Sequence, residues 1–254
     1  MKIFSRCALI VLVFFVSLVP LAAQQKPMRV VATTTWTAAL AAAAGVTDVI
    51  TLAPSDLRHP AEYEMKPSDV FSLRGADLII ASGFEVMTKK LAEAAGSQKI
   101  RVLQIGADYS LETMKRSILA VAAVTGTETE ARANIAALEG FFASWKAELG
   151  AKGLFGAAVL GHVFQLPLLK ELGFTVRGAF GPGPLEAAQI AKLSMQKADF
   201  IIDNWHNEVG EPLRETLPTT RYVSLINFPG PDGTVTLLDV LADNKKRLAD
   251  VAAR

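Results

Sequence analysis

The chain has 254 residues, of which 51% are hydrophobic, and its 26 basic and 25 acidic side chains give a formal charge of +1 at pH 7. This near balance gives none of the basic footprint that nucleic-acid-binding domains carry. Cys7 is the only cysteine, which excludes an internal disulfide framework and a cysteine-rich metal site. A chain of this length and hydrophobic content can bury one large core or two smaller ones.

The N-terminus has the three parts of a secretory signal peptide. Lys2 and Arg6 form a basic flank, residues 8–19 form an apolar run, and small residues end at Ala23. The run is shorter than the ~20 residues that a bilayer span needs, so cleavage near Ala23 is favoured over a membrane anchor. Loss of residues 1–23 would leave 24 basic and 25 acidic side chains, a balance of −1. We expect an exported protein, periplasmic or extracellular.

Strands and helices are predicted to alternate from residue 28 to residue 110. The apolar runs predict strands at 28–34, 46–52, 76–81 and 101–105, and helices at 36–44, 68–73 and 84–95. The strands are continuous in apolar character, as buried parallel strands are. Alternation of this kind is typical of βαβ units, so residues 28–110 are predicted to form an N-terminal α/β lobe.

Residues 111–150 interrupt this alternation with two helices, predicted at 111–124 and 128–149. The sequence from Thr127 to Glu130 has the form of a capping box. Five apolar side chains of the second helix share one stripe at helical spacing, which predicts core packing: Ile135, Leu138, Phe141, Phe142 and Trp145.

The alternation resumes over residues 153–254, which we predict to be a C-terminal α/β lobe. Its strands are predicted at 156–160, 174–177, 200–203 and 222–226, and its helices at 164–172, 185–196, 209–217 and 237–253. The predicted fold class is therefore α/β, with two doubly wound α/β lobes bridged by a long helix.

The three histidines of the chain, His59, His162 and His206, each come shortly after a predicted strand. The carboxyl edge of a doubly wound sheet is where ligands bind. One histidine belongs to the first lobe and two to the second, so they can meet across a cleft.

Imidazole and carboxylate groups without sulfur suit Zn²⁺ or Mn²⁺. The nearby carboxylates are Glu62, Glu64 and Asp203. Asp203 can bind a metal, orient His206, or cap the next helix, and the sequence leaves these roles open. We predict a metal site formed by His59, His162, His206 and Asp203.

The loop 57–69 connects this pattern to a known family. It resembles the first metal-binding loop of the TroA-like solute-binding proteins of zinc- and manganese-type ABC transporters. The sequence pattern of that loop in the family is roughly Asp-Pro-His-x-Tyr-Glu-Pro-x-Pro-Ser-Asp. The matching residues are Pro60, Tyr63, Glu64, Pro67, Ser68 and Asp69. Ala61 occupies the histidine position, and His59 lies two residues earlier.

Further segments carry the same resemblance. The segment from Ala76 to Glu85 is similar to the family's Ala-Asp-Leu-Val segment, and that from Pro184 to Ile190 to its Pro-Ser-x-x-x-Ile segment. His162 falls where the family has its third ligand. The family's second histidine has no counterpart in residues 106–112, and its final aspartate corresponds to Asn227.

The resemblance implies two lobes with a divalent metal between them and delivery of that metal to the membrane permease of an ABC importer. We therefore predict an exported, monomeric carrier of zinc or manganese that is not an enzyme and binds no nucleic acid. One alternative is the same fold with a metal chelate or a small organic ligand. A less favoured alternative is a zinc-assisted hydrolase that uses His59, His162 and Asp203, for which the sequence offers no committed general base.

Overall fold

The structure, a computed structural model, describes residues 28–253. The predicted signal peptide, residues 1–23, lies outside the described residues. No helix within residues 28–253 has the length and apolar character needed to cross a bilayer.

The first lobe is built on a parallel sheet with the strand order β2-β1-β3-β4. Its strands are β1 (Val30–Ala32), β2 (Val49–Thr51), β3 (Leu78–Ala81) and β4 (Arg101–Gln104), and its helices are α1 (Thr35–Ala43), α2 (Asp69–Ser72) and α3 (Thr88–Gln98). The central strands β1 and β3 are wholly buried, which explains their continuous apolar sequences. The topological switch between them creates a crevice at their carboxyl ends.

The second lobe repeats this plan with the strand order β6-β5-β7-β8. Its strands are β5 (Ala158–His162), β6 (Thr175–Phe180), β7 (Phe200–Asn204) and β8 (Arg221–Leu225), and its helices are α6 (Leu166–Glu171), α7 (Ala187–Ser194), α8 (Glu211–Thr216) and α9 (Leu237–Ala252). The switch point lies between β5 and β7, so their carboxyl ends form the corresponding crevice of this lobe.

Two helices, α4 (Leu111–Thr125) and α5 (Glu128–Ala151), join the lobes. Helix α5 contacts α1 of the first lobe and α9 of the second, and one apolar cluster continues through both lobes and both linking helices. The predicted stripe is confirmed, since Ile135, Leu138, Phe142 and Trp145 are buried. Phe141 is half-buried and meets the Trp145 ring edge to face, with centroids 5.9 Å apart. The predicted fold class, with its bridging helix, is confirmed.

The lobes also touch at the rim of the cleft. The hydroxyl of Thr35 donates to the carbonyl of Pro229 at 2.8 Å. The neighbouring Gly230 lies so close to the first lobe that an added Cβ would be 2.2 Å from the carbonyl oxygen of Ser55. A glycine is therefore required at this contact.

Three local predictions need correction. Thr127 forms no capping box, because its hydroxyl donates to the carbonyl of Ala44 at the end of α1 instead. Helix α3 begins at Thr88 rather than at residue 84, and it continues through the exposed Gly96 to a left-handed C-cap at Lys99, φ 57°. Strand β5 continues to His162, because Gly161 and His162 pair with β6; the sequence pattern ended it at residue 160.

Candidate functional site

His162 is the last residue of β5 and is fully buried. The backbone amide of Phe164 donates to its Nδ1 at 3.1 Å, so the proton of the neutral ring lies on Nε2. That Nε2 donates to Oδ1 of Asn207 at 3.0 Å. Burial lowers the pKa of His162, and Asn207 and Asp203 partly offset the effect.

The surroundings of His162 restrict access to Nε2. An added Cβ on Gly181 would lie 2.4 Å from Nε2, and the rings of Phe164 and Phe180 lie 5.0 and 5.7 Å from the imidazole centroid. A metal-binding histidine usually donates through its second ring nitrogen, whereas Nδ1 here accepts. Coordination through Nε2 therefore requires Asn207 to move and the Nε2 proton to leave.

Asp203, in β7, is fully buried and is occupied by protein donors. Its Oδ1 accepts from the amide of Asn204 at 2.8 Å. Its Oδ2 accepts from the amide of Gly210 at 2.7 Å and from the hydroxyl of Tyr222 at 2.8 Å. Gly210 is the N-cap residue of α8, so Asp203 ties the start of that helix to the sheet.

His206 lies in the 3₁₀ turn Trp205–Asn207 that follows β7, and only 3% of it is exposed. Its Nδ1 accepts from the amide of Asn227 at 3.4 Å, while Nε2 has no partner among the described residues. Burial lowers the pKa of His206 to about 3, and the positive charges of Arg58 and Arg247 contribute in the same direction. The ring is therefore neutral at physiological pH.

His59 is exposed and begins the 3₁₀ turn Pro60–Glu62 of the first lobe. His59 and His206 belong to different lobes, and His59 is the last but one of the groups that lower the pKa of His206 electrostatically. The structure does not unite the four predicted ligands: within residues 28–253, no three His, Cys, Asp or Glu side chains form a group that could hold a metal ion.

The family-like loop is braced by its own polar residues. Oδ2 of Asp69 accepts from the hydroxyl of Tyr63 at 2.9 Å and from the amide of Lys66 at 2.7 Å. Glu62 and Glu64 are exposed to solvent and take no part in this network. The matched Tyr and Asp therefore fix the loop conformation.

Arg58 is the cleft residue that the sequence did not single out. Its guanidinium forms an ion pair with Glu208 of the second lobe at 2.5 Å. Its Cζ lies 4.3 Å from the centroid of the Trp205 ring, a cation–π contact. The only sequence signal was its place beside His59 in the loop that the family uses for its first ligand.

Glu85 is a second buried charge that the sequence did not assign. It lies beyond β3 and is 3% exposed. Its Oε1 accepts from the hydroxyl of Thr33 at 2.7 Å and from the amide of Ser82 at 2.9 Å, and its Oε2 accepts from the amide of Gly83 at 2.7 Å. This carboxylate organises the switch point of the first lobe.

The chain forms two α/β lobes joined by helices α4 and α5. The family model described as "ZnuA: Zinc-uptake complex component A periplasmic" matches residues 30–134, which include the first lobe, α4 and the start of α5. The resemblance to TroA-like metal solute-binding proteins is thereby confirmed. No curated protein sequence matches the chain.

Solved structures share this fold over nearly their whole length. The manganese-bound periplasmic metal binding protein from Candidatus Liberibacter asiaticus matches with a TM-score of 0.65 and 16% identity over 89% of this chain and 99% of that chain. The AdcAII protein of Streptococcus pneumoniae matches with a TM-score of 0.69 and 16% identity, over 89% of this chain and 99% of that chain. The laminin-binding protein Lbp of Streptococcus pyogenes matches with a TM-score of 0.67 and 15% identity, over 89% of this chain and 99% of that chain. At these identities the likeness establishes the fold.

Proposed function

We propose that this chain is an exported solute-binding protein that captures a divalent metal ion, zinc or manganese, in the cleft and delivers it to the permease of an ABC importer. The observation that carries this proposal is the zinc-uptake family match over residues 30–134. The two-lobed fold, shared with a manganese-bound protein, supports it. Closure of such lobes around a ligand is a common binding mechanism.

Within the cleft, His162 is the proposed principal metal ligand, through Nε2 after Asn207 has moved. His206 offers a second imidazole nitrogen, since its Nε2 is unpartnered within the described part of the chain. His59 is the proposed ligand from the first lobe. Asp203 acts by fixing the turn that carries His206, since three protein donors occupy its oxygens.

The test is elemental analysis and native mass spectrometry of mature protein purified without a His-tag. We expect one zinc or manganese ion per chain after incubation with either metal and removal of the excess. Retention of neither metal would contradict the proposal. The same intact-mass measurement on the exported fraction tests cleavage near Ala23: the expected chain starts near Gln24, and retention of residues 1–23 would refute it.

A second candidate function is capture of a small organic ligand by the same fold. It is favoured by the missing three-ligand group among residues 28–253 and by Arg58, which suits a carboxylate. A hydrolase receives no comparable support, because the polar residues described around His162 and Asp203 bind one another. We propose a carrier that does no covalent chemistry.

A further inference from the structure

Arg58 offers an anion a cationic contact in the cleft. Arg247 is already paired with Asp232 and, at 2.5 Å, with Asp243, whereas the half-exposed Arg58 has Glu208 as its ion partner. Of the nearby carboxylates, Glu208 is paired with Arg58, and Asp203 is fully buried and bound by three donors. A divalent ion entering alone would be repelled by the Arg58 guanidinium, whereas a carboxylate carried by the ligand would be attracted to it.

The same region contains unpartnered buried polar atoms. Nε2 of His206 and Oδ1 of Asn227 lack hydrogen-bond partners in the described structure, and the two side chains are 3% and 5% exposed. Buried polar atoms without partners are uncommon, and each calls for an explanation such as a bound ligand or water. Asn227 is neutral and adds a carbonyl oxygen without adding a negative charge.

We propose that the cleft takes its divalent metal as a complex with a small polycarboxylate chelator, with Arg58 binding a chelator carboxylate. The inference rests on the proposed function in metal import. Zn²⁺ usually takes four protein ligands in a closed site, and the chain does not assemble even three carboxylate or imidazole groups. The chelator supplies oxygen ligands for the metal and a carboxylate for Arg58, while His162 or His206 supplies nitrogen.

Arg58 is well placed to exchange its ion partner Glu208 for a chelator carboxylate. Its side chain and that of Glu208 are 45% and 38% exposed, so their ion pair is screened by solvent and is weak enough to be replaced. The Trp205 ring lies 4.3 Å from Cζ of Arg58 and supports the guanidinium from one side. A planar guanidinium can donate two parallel hydrogen bonds to a carboxylate, which a lysine ammonium cannot reproduce.

The experiment is isothermal titration calorimetry of the mature chain with Zn²⁺ alone, citrate alone and the 1:1 zinc–citrate complex. We expect the complex to bind at least about tenfold more tightly than either component. Arg58→Gln and Arg58→Lys should each weaken binding of the complex by about tenfold or more, while binding of Zn²⁺ alone stays the same or improves.

Arg214→Gln is the matched control. Arg214 also forms an ion pair, with Glu211 at 3.3 Å, and also lies over an aromatic ring, 5.3 Å from that of Tyr222. It belongs to α8, away from the loop that carries Arg58, so zinc–citrate affinity should stay at the wild-type value.

Each other outcome has a defined meaning. Equal affinity for Zn²⁺ alone and for the complex, or an unchanged Arg58→Gln variant, overturns the chelate proposal and leaves metal capture standing. Citrate that binds as tightly without zinc overturns both in favour of an organic anion. Loss of zinc–citrate binding in Arg214→Gln as large as that in Arg58→Gln also overturns the assigned role of Arg58.

Discussion

Nε2 of His162 lies 3.0 Å from Oδ1 of Asn207, and this contact controls how a metal can reach His162. Because the amide of Phe164 donates to Nδ1, the proton of the metal-free ring is on Nε2. A metal ion must displace both that proton and the asparagine. Metal binding is therefore coupled to proton release and to movement of the turn Trp205–Asn207.

The first prediction is that His162→Ala abolishes metal-dependent stabilisation. Bound metal stabilises the native state by RT ln(1 + [L]/Kd), which is ~2.7 kcal/mol at about a hundredfold excess over Kd. His162 is fully buried, so its removal also lowers the stability of the metal-free protein. Each variant is therefore compared with its own metal-free melting temperature, with zinc and manganese titrated separately, each as the free ion and as the citrate complex.

Asn207→Ala is the control for this prediction. It removes the competing acceptor but keeps the imidazole, so the metal-dependent shift in melting temperature should persist or grow. A full wild-type shift in His162→Ala would exclude His162 as a ligand.

The second prediction separates the structural role of Asp203 from a metal-binding role. Asp203→Ala leaves the amides of Asn204 and Gly210 and the hydroxyl of Tyr222 without their acceptor. Since each unsatisfied buried donor costs about 1–3 kcal/mol, the free energy of unfolding should fall by about 3 kcal/mol or more in urea denaturation. Tyr222→Phe removes one of these bonds and should cost about 1 kcal/mol.

Metal binding provides the second readout for Asp203. If the aspartate only fixes the turn, Tyr222→Phe should retain the metal-dependent shift, and Asp203→Asn should lose stability more than metal affinity. An Asp203→Asn variant with wild-type unfolding free energy and no metal binding would show that the aspartate is a ligand.

The sequence predicted the fold well because the hydrophobic patterns that indicate strands and helices recur along the whole chain. Continuous apolar runs such as that at Ile79 and helical stripes such as that at Ile135 are set by burial alone, and both recur in the structure. Element ends were less predictable. Thr127 had the local sequence of a cap, but a tertiary contact with the carbonyl of Ala44 took its hydroxyl.

The candidate site was predicted only in part because its contacts join distant residues. Strand-end positions correctly placed His162 and His206 at the carboxyl edge of the second sheet. No local pattern indicates that Asp203 would be bound by Tyr222, or that Arg58 would reach Glu208. These pairings depend on how β7 and β8 align and on how the lobes meet, which sequence spacing does not encode.

The third prediction concerns the acid stability of metal-free protein. Burial lowers the pKa of His206 to about 3 in the folded state, whereas an unfolded histidine has a pKa of about 6.5. Between these values the unfolded chain binds the proton and the folded chain does not. The contribution of His206 to stability is therefore complete above pH ~6.5 and is lost as the pH falls toward ~3, at about 1.4 kcal/mol per pH unit.

The measurement is urea denaturation of wild type and His206→Gln between pH 4 and pH 7, about the range in which the histidine difference acts. Carboxylates protonate in both proteins, so the difference in slope isolates the histidine. As the pH falls, the unfolding free energy of the wild type should decrease more steeply than that of His206→Gln. The difference in slope should correspond to close to one additional proton taken up on unfolding. Parallel pH profiles would show that His206 is protonated in the folded state or exposed to solvent.

The fourth prediction is that Gly230→Ala separates the lobes. Its Cβ would lie 2.2 Å from the carbonyl oxygen of Ser55, and its φ of 137° is unfavourable for a side chain. The first lobe must therefore move away, which also stretches the bond between Thr35 and Pro229. We expect a loss of about 2 kcal/mol in unfolding free energy and a larger radius of gyration in small-angle X-ray scattering.

Gly233→Ala distinguishes the clash from the backbone effect. Gly233 belongs to the same loop and also has a positive φ, 75°, but an added Cβ would meet nothing within 4 Å. Its substitution should cost only the conformational strain, about 1 kcal/mol, and leave the radius of gyration unchanged. Equal losses and equal radii in the two variants would mean that the contact between Gly230 and Ser55 does not hold the lobes together, because only Gly230→Ala introduces a collision between them.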